Sequence, residues 1–171
     1  MRNTGIGTAG LLLALLACPV QNAPAAPSLL LMEFEIIDDL GDAASAVEDR
    51  RRLNEATRQL HAALAACGRF ELAAPAADST ALDAARAQNH YLHRCNGCTR
   101  AIAEPAGAEL VLFPWVQKVS NLILNVNAEI RYAQTEATVM TRSVDIRANN
   151  DVSWQRGVRA LARRLCPGAL D

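Results

Sequence analysis

The chain has 171 residues, with 17 Lys and Arg against 18 Asp and Glu and a formal charge of −1. Nucleic-acid binding calls for a basic excess or a clustered basic face with aromatics, and neither is present. The longest apolar run lies at the N-terminus and falls short of the about 20 residues that a membrane span needs, so no span is expected.

The opening "MRNTGIGTAGLLLALLACPVQNAPAAP" sets one basic residue, Arg2, before an apolar run centred on Leu11 to Leu16 and closes on small residues. This is the anatomy of a secretory signal peptide. Ala23-Pro24-Ala25 has the small-x-small pattern of ordinary cleavage, and the polar segment leading to it favours that mode. Leu15-Leu16-Ala17-Cys18 resembles a lipobox and offers the alternative, a lipid anchor on Cys18. The reading adopted is a leader over residues 1–25 and a single domain over 26–171, exported to the periplasm. Loss of Arg2 leaves 16 basic against 18 acidic residues, a formal charge of −2. Of five cysteines, Cys18 is in the leader. Cys67, Cys95, Cys98 and Cys166 then enter an oxidising compartment, where paired cysteines are the rule.

"SLLLMEFEII", Ser28 to Ile37, is a short apolar run ending in alternation and predicts a first strand. Ala44 to Cys67 spaces Val47, Leu53, Ala56, Leu60, Leu64 and Cys67 as one helical stripe, with Arg50 to Arg52 pointing elsewhere and Gly68 closing the helix. "RFELA" from Arg69 predicts a brief second strand. Asp78-Ser79-Thr80 then caps a helix through Leu82 and Ala85. Thr99 to Glu104 predicts a short helix that Pro105 and Gly107 end.

"AELVLFPWVQ", Ala108 to Gln117, predicts a third strand that turns at Lys118 to Asn121 into "LILNVNAEIRY". There Leu122, Leu124, Val126, Ala128, Ile130 and Tyr132 share one face and Asn125, Asn127, Glu129 and Arg131 the other. Ala137 to Arg147 is a β-branched strand. Asn149, Asn150 and Asp151 cap a last helix that aligns Trp154, Val158, Leu161 and Leu165, and Pro167-Gly168 stop it. Together these elements predict an α+β fold, an α/β sandwich of about five strands in a mixed sheet with helices packed on it.

"LLLMEFEIIDD", the helix end "LHAALAACGRFEL" and "GAELVLFPWVQKVSNLILNVNAEI", followed by a closing strand and helix, resemble the N-terminal α/β domain of TolB. The related domains of the curli-secretion lipoprotein and the penicillin-binding-protein activator lipoprotein share the pattern. "CNGC", "WVQKVSNLILN" and "VDIRANNDVSW" are similar to a small family of secreted proteobacterial proteins known as a domain of unknown function. The broad resemblance implies a TolB-N-like, envelope-facing accessory domain that binds another envelope protein and has no active site or cofactor. The narrower one implies an association with quinoprotein alcohol dehydrogenase systems. Architecture alone does not transfer a role.

The candidate sites centre on "HRCNGC". Cys95 and Cys98 flank an Asn-Gly turn, which suits a local disulfide. A redox-active pair of the thioredoxin kind would need a strand leading into a helix at the first cysteine. A c-type haem would need histidine after Cys98, where Thr99 stands. His90, His93, Cys95 and Cys98 offer four N/S ligands of the kind zinc takes, although spaced more tightly than in a usual finger. Cys67 and Cys166 end the first and last helices and would meet if both helices pack on one face; two separate buried thiols are the alternative. "QKVSN" and "RANNDVSW" gather Lys118, Asn121, Arg147 and Asp151 as a partner surface, against the plainer reading of turn and cap residues. The expected function is a non-enzymatic periplasmic accessory or binding protein; the alternative is a thiol-disulfide or metal-handling protein using the CxxC pair.

Overall fold

The structure, a computed structural model, describes residues 25–41, 43–76 and 79–168. The leader to Pro24, Cys18 and the expected cap at Asp78 lie outside them. Among the described residues six strands, β1 (Ser28–Leu31), β2 (Glu35–Asp38), β3 (Glu71–Ala73), β4 (Leu110–Lys118), β5 (Ile123–Tyr132) and β6 (Thr138–Arg147), form one mixed sheet. Four α-helices accompany them: α1 (Ala46–Cys67), α2 (Thr80–Gln88), α3 (Thr99–Ala103) and α4 (Asp151–Leu165). The sheet order is β3-β1-β4-β5-β6, with β2 also paired to β4. β1, β2 and β3 join by parallel pairing, and β5 and β6 by antiparallel pairing.

The expected first strand is two strands, and Pro114 supplies the reason. Leu31 pairs with Leu112 and Glu35 with Trp115, so three residues, 32–34, oppose the two residues Phe113 and Pro114. The alternation that turns Leu112 O to Met32 N and Lys118 O to Asp39 N turns the proline nitrogen to the same side. That nitrogen has no hydrogen to donate, so the ladder lapses there and resumes one register later. The freed Phe34 N–H donates to Thr57 Oγ1 on α1 at 3.0 Å. The break also sends neighbouring side chains to opposite faces: Met32 enters one core and Phe34 the other.

α1 and α4 cover one face, where Leu60, Leu64, Trp154, Val158 and Leu161 bury against Leu112, Val116, Leu124, Val126 and Ile130. On the other face α2, α3 and the single turn Leu92–Arg94 enclose a smaller core around Val111 and Phe113. β4 therefore has residues buried on both faces, as expected of a central strand in a covered sheet. Two residues assigned to the apolar face of β5 do not join it. Leu122 precedes the strand in the hairpin turn, and Tyr132 is its last residue; both are exposed. Val47 departs likewise: it stands in the first turn of α1 and is exposed.

α4 approaches the sheet closely at Gly157. A Cβ there would stand 2.5 Å from Ile146 Cγ2 and 3.0 Å from Val126 Cγ2, both methyls of stiff β-branched side chains. In an exposed helix, Gly→Ala gains about 1 kcal/mol of propensity; at this position overpacking is expected to win. Gly157→Ala should lower the unfolding free energy by about 1–3 kcal/mol in denaturant titration, and Gly157→Val by more.

Candidate functional site

One end of the sheet is organised by a buried charge. Lys118, the last residue of β4, is fully enclosed. Its ammonium donates to Ser45 Oγ at 2.6 Å, Asp49 Oδ2 at 2.9 Å and Asp38 Oδ2 at 3.2 Å. Asp49, also buried, accepts at its second oxygen from Arg52 at 3.1 Å and Asn149 Nδ2 at 3.0 Å. Asn149 Oδ1 in turn accepts from the Trp154 indole N–H at 2.7 Å. The network joins β2, α1, β4 and the loop before α4. Lys118 thus meets three acceptors, one for each N–H of its ammonium, as a buried charge requires.

Lys118 and Asp49 hold each other ionised. Burial pushes the Asp49 carboxyl up, but hydrogen bonds from Lys118, Asn149 and Ser45 outweigh it and leave the group below its ordinary value. Burial likewise pulls the Lys118 ammonium down, and hydrogen bonds to Asp49 and Asp38 outweigh it, leaving the group above its ordinary value.

The structure corrects the reading of Lys118 as a partner-facing residue: the turn that brings it to the sheet end also brings two carboxylates from far back in the sequence. Arg52, read as pointing away, is drawn into the same network. Asp151 is exposed and tied to Arg51 Nη2 at 2.7 Å and Arg52 Nε at 2.8 Å. Those hydrogen bonds hold its carboxyl below the ordinary range. Asn121 is exposed in the hairpin, its carbonyl accepting from Asn149 N at 2.8 Å. Arg147 is exposed too, and with Arg156, Arg159 and Arg163 it lines a shallow groove between β6 and α4. Among the described residues, none of these four guanidiniums makes an ion pair.

"HRCNGC" lies on the other face and is clamped from three sides. Glu35 of β2 accepts from Leu92 N at 2.7 Å, and its Oε2 lies 3.1 Å from His93 Nδ1. The His93 ring is buried and stacks on Trp115 with centroids 4.4 Å apart. Arg131 of β5 donates to the carbonyls of Cys95, at 3.0 Å, and His93, while its Nε bonds Glu129 Oε1 at 2.7 Å. Burial pushes the Glu129 carboxyl up, but the bonds from Arg131 and Thr138 outweigh it and keep the group low. Glu136 accepts from Gly97 N and from Thr99 N at 3.1 Å. Its backbone sits in the left-handed region, φ 59°, which a non-glycine residue adopts at a cost that this side-chain clamp helps to offset. The polar face of β5, legible as polar in the sequence, is thus the face that holds this loop.

Cys95 and Cys98 are joined, with Cα atoms 6.0 Å apart, and Cys67 and Cys166 are joined with Cα atoms 6.2 Å apart. Cys95 is buried and Cys98 is only partly so. Thr99, next along, is buried, and its hydroxyl has no hydrogen-bond partner. The four ligands considered for zinc do not converge: the sulfurs bond each other, His93 faces Glu35, and His90 is exposed against Tyr91. Among the described residues, no group of three or more His, Cys, Asp or Glu side chains is arranged to hold a metal ion.

A family model described as "Protein of unknown function (DUF2380)" matches residues 27–165, which takes in the whole sheet, the clamped loop and the buried network. The chain belongs to this family, DUF3280. No curated protein matches it. Among solved structures, the LpoB C-terminal domain from Salmonella enterica is 19% identical, covering 74% of this chain and 86% of that one, with a TM-score of 0.50. The hypothetical protein CT253 from Chlamydia trachomatis is 11% identical over 84% and 98% of the two chains, with a TM-score of 0.51. TolB from Acinetobacter baumannii is 11% identical over 82% of this chain and 27% of that one, at 0.49. The α+β fold of the DUF3280 chain is that of the LpoB domain, and the likeness is one of fold.

The same end of the DUF3280 sheet that encloses Lys118 carries most of the large apolar side chains left in solvent. Leu40 follows β2, Val47 opens α1, Val119, Leu122 and Ile123 form the β4–β5 hairpin, and Val152 opens α4. Val47 is 79% exposed, Leu122 70% and Val152 55%. Only Tyr132 and Val139, of the eight such residues described, lie elsewhere. Hairpin and helix positions seemed unrelated in the sequence; the closure of the sheet end brings them together. No described helix is long and apolar enough to cross a membrane.

Lys118→Met leaves Asp38 and Asp49 without their shared cation and should cost about 3–5 kcal/mol of stability. The double variant Lys118→Met, Asp49→Leu should recover more than half of that in the same denaturant titration, because only the partly exposed Asp38 is then left without its cation. Asp49 is lowered from its ordinary 3.8, so its contribution is complete above that value and is lost as pH falls through the folded value. Lys118 is raised from 10.5, so its contribution is complete below that value and is lost only as pH rises above it. Unfolding midpoints should be flat from about pH 5 to 9 and fall below about pH 4, with a shallower acid limb in Asp49→Asn.

Proposed function

We propose that this protein is a periplasmic, non-enzymatic accessory protein that docks onto another envelope protein through the apolar end of its sheet. The observation that carries this reading is the gathering of Leu40, Val47, Val119, Leu122, Ile123 and Val152 at one end. Monomeric surfaces scatter such residues singly, and a cluster of them marks an interaction site. The buried Lys118 network beneath it holds the hairpin, α1 and α4 in fixed relation, so the face is preformed and little ordering is needed on binding.

The secretory anatomy of residues 1–25 supports the location, with ordinary cleavage as the mode and residues 26–171 as one domain. Four paired cysteines suit the same oxidising compartment. In this reading the function needs no cofactor. The association with quinoprotein alcohol dehydrogenase systems that the sequence resemblance implies names one set of proteins in which to seek the partner.

A photo-crosslinking residue at position 122, introduced in the native host, should yield an adduct of defined mass with one envelope protein. The same residue at position 71, at the opposite end of the sheet, should yield none. Adding Val47→Asp should reduce the adduct at least about tenfold, since a desolvated charge at an interface centre costs more than 1.4 kcal/mol. Adducts to lipid or to a second copy of this chain, or no adduct at all, would overturn the reading.

A further inference from the structure

The two cysteine pairs differ in what they do for the fold. Cys67–Cys166 closes a separation of 99 residues and ties the C-terminal ends of α1 and α4. Cys95–Cys98 closes a separation of 3, the least that a bridge can remove from the freedom of an unfolded chain. The loop it spans is also held without it. Arg131 grips the carbonyls of His93 and Cys95, Glu136 the N–H groups of Gly97 and Thr99, and Glu35 the N–H of Leu92. A staple is redundant where three charged side chains already fix the backbone.

The pair is also asymmetric. Cys95 is 4% exposed, whereas Cys98 is partly exposed and follows the exposed Asn96 and Gly97. Arg131, which also bonds Glu129, holds the Cys95 carbonyl, so the backbone at the buried member is fixed independently of its sulfur. Access at one sulfur gives exchange its direction, because an incoming thiolate can reach Cys98 while Cys95 is enclosed.

We propose that Cys95–Cys98 is an exchangeable disulfide that accepts two electrons from a dithiol protein, with Cys98 attacked and Cys95 leaving. A partner thiolate bonds to Cys98 Sγ as the Cys95–Cys98 bond breaks, and the electron pair goes to Cys95 Sγ, which takes up a proton. The partner's second thiolate then attacks its own sulfur in that mixed bond. This oxidises the partner to a disulfide and releases Cys98 as a thiolate that takes up the second proton. The clamps hold the loop through both steps, so the fold survives reduction. This inference goes beyond the docking reading and stands independently of it.

The test is stepwise reduction of the intact, folded protein with dithiothreitol, followed by alkylation and peptide mass spectrometry. Cys95–Cys98 should open at a dithiothreitol concentration at least about tenfold below that needed for Cys67–Cys166, with no loss of folded structure. Opening of both pairs together, or of Cys95–Cys98 only on unfolding, would overturn the proposal. Single variants then test the direction. Cys95→Ser, which leaves Cys98, should form a mixed disulfide with oxidised glutathione at least about tenfold faster than Cys98→Ser, which leaves Cys95. Equal rates, or a faster Cys95, would overturn the assignment of the attacked sulfur. Should either variant fail to fold, stopping the wild-type reaction with excess alkylating agent at a tenth of full reduction gives the same answer, since a trapped dithiothreitol adduct must sit on Cys98.

Discussion

The ion pair between Lys118 and Asp49 is the constraint on which the rest of this molecule turns. An ammonium at the end of the central strand has no water to solvate it, and the cost of its burial is offset only if several acceptors converge on it. Three do so, from β2, from the turn before α1 and from α1 itself. Meeting that need fixes where β2 ends, how α1 enters and, through Asn149 and Trp154, where α4 begins. A different strand register would leave the charge without these acceptors, so the network is tied to this one register.

The same constraint explains how an apolar end can stand in solvent without collapsing. The groups buried at this end are polar and paired with one another, while Leu122 and Val152 stand exposed. The sheet end therefore presents a hydrophobic rim on a satisfied polar base. Such an arrangement has a fixed shape before any partner arrives, which is the physical content of preorganisation. The opposite face of the sheet uses a parallel device: Glu35, Arg131 and Glu136 hold the backbone of the CNGC loop alongside the bond between its cysteines.

Much of this was legible in the residues. The alternation of β5, the stripe of α4 and the Ser79 and Asn150 caps are local patterns, and the structure shows Ser79 accepting from Leu82 N and Asn150 from Ser153 N. The split of the first strand also had a local signal in Pro114, but the consequence falls on a segment some eighty residues earlier and is visible only once the pairing is known. Lys118 misled for a definite reason. A lysine beside a turn reads as surface, and nothing near it in sequence announces Asp38 or Asp49. Gly157 gave no signal either, since a glycine within a helical pattern does not say what approaches it.

By itself the sequence determined the kind of most elements, including the long helices, the β5 strand and the helix caps, and the family to which residues 27–165 belong. These follow from short-range chemistry: periodicity, capping, turn residues and composition. Tertiary structure alone decided that Lys118 is buried, that His90 and His93 do not join the cysteines in a metal site, and that six apolar side chains from separate elements share one end. Each of those depends on which distant groups the sheet brings within a few ångströms of one another, and a one-residue change in pairing register would alter them all.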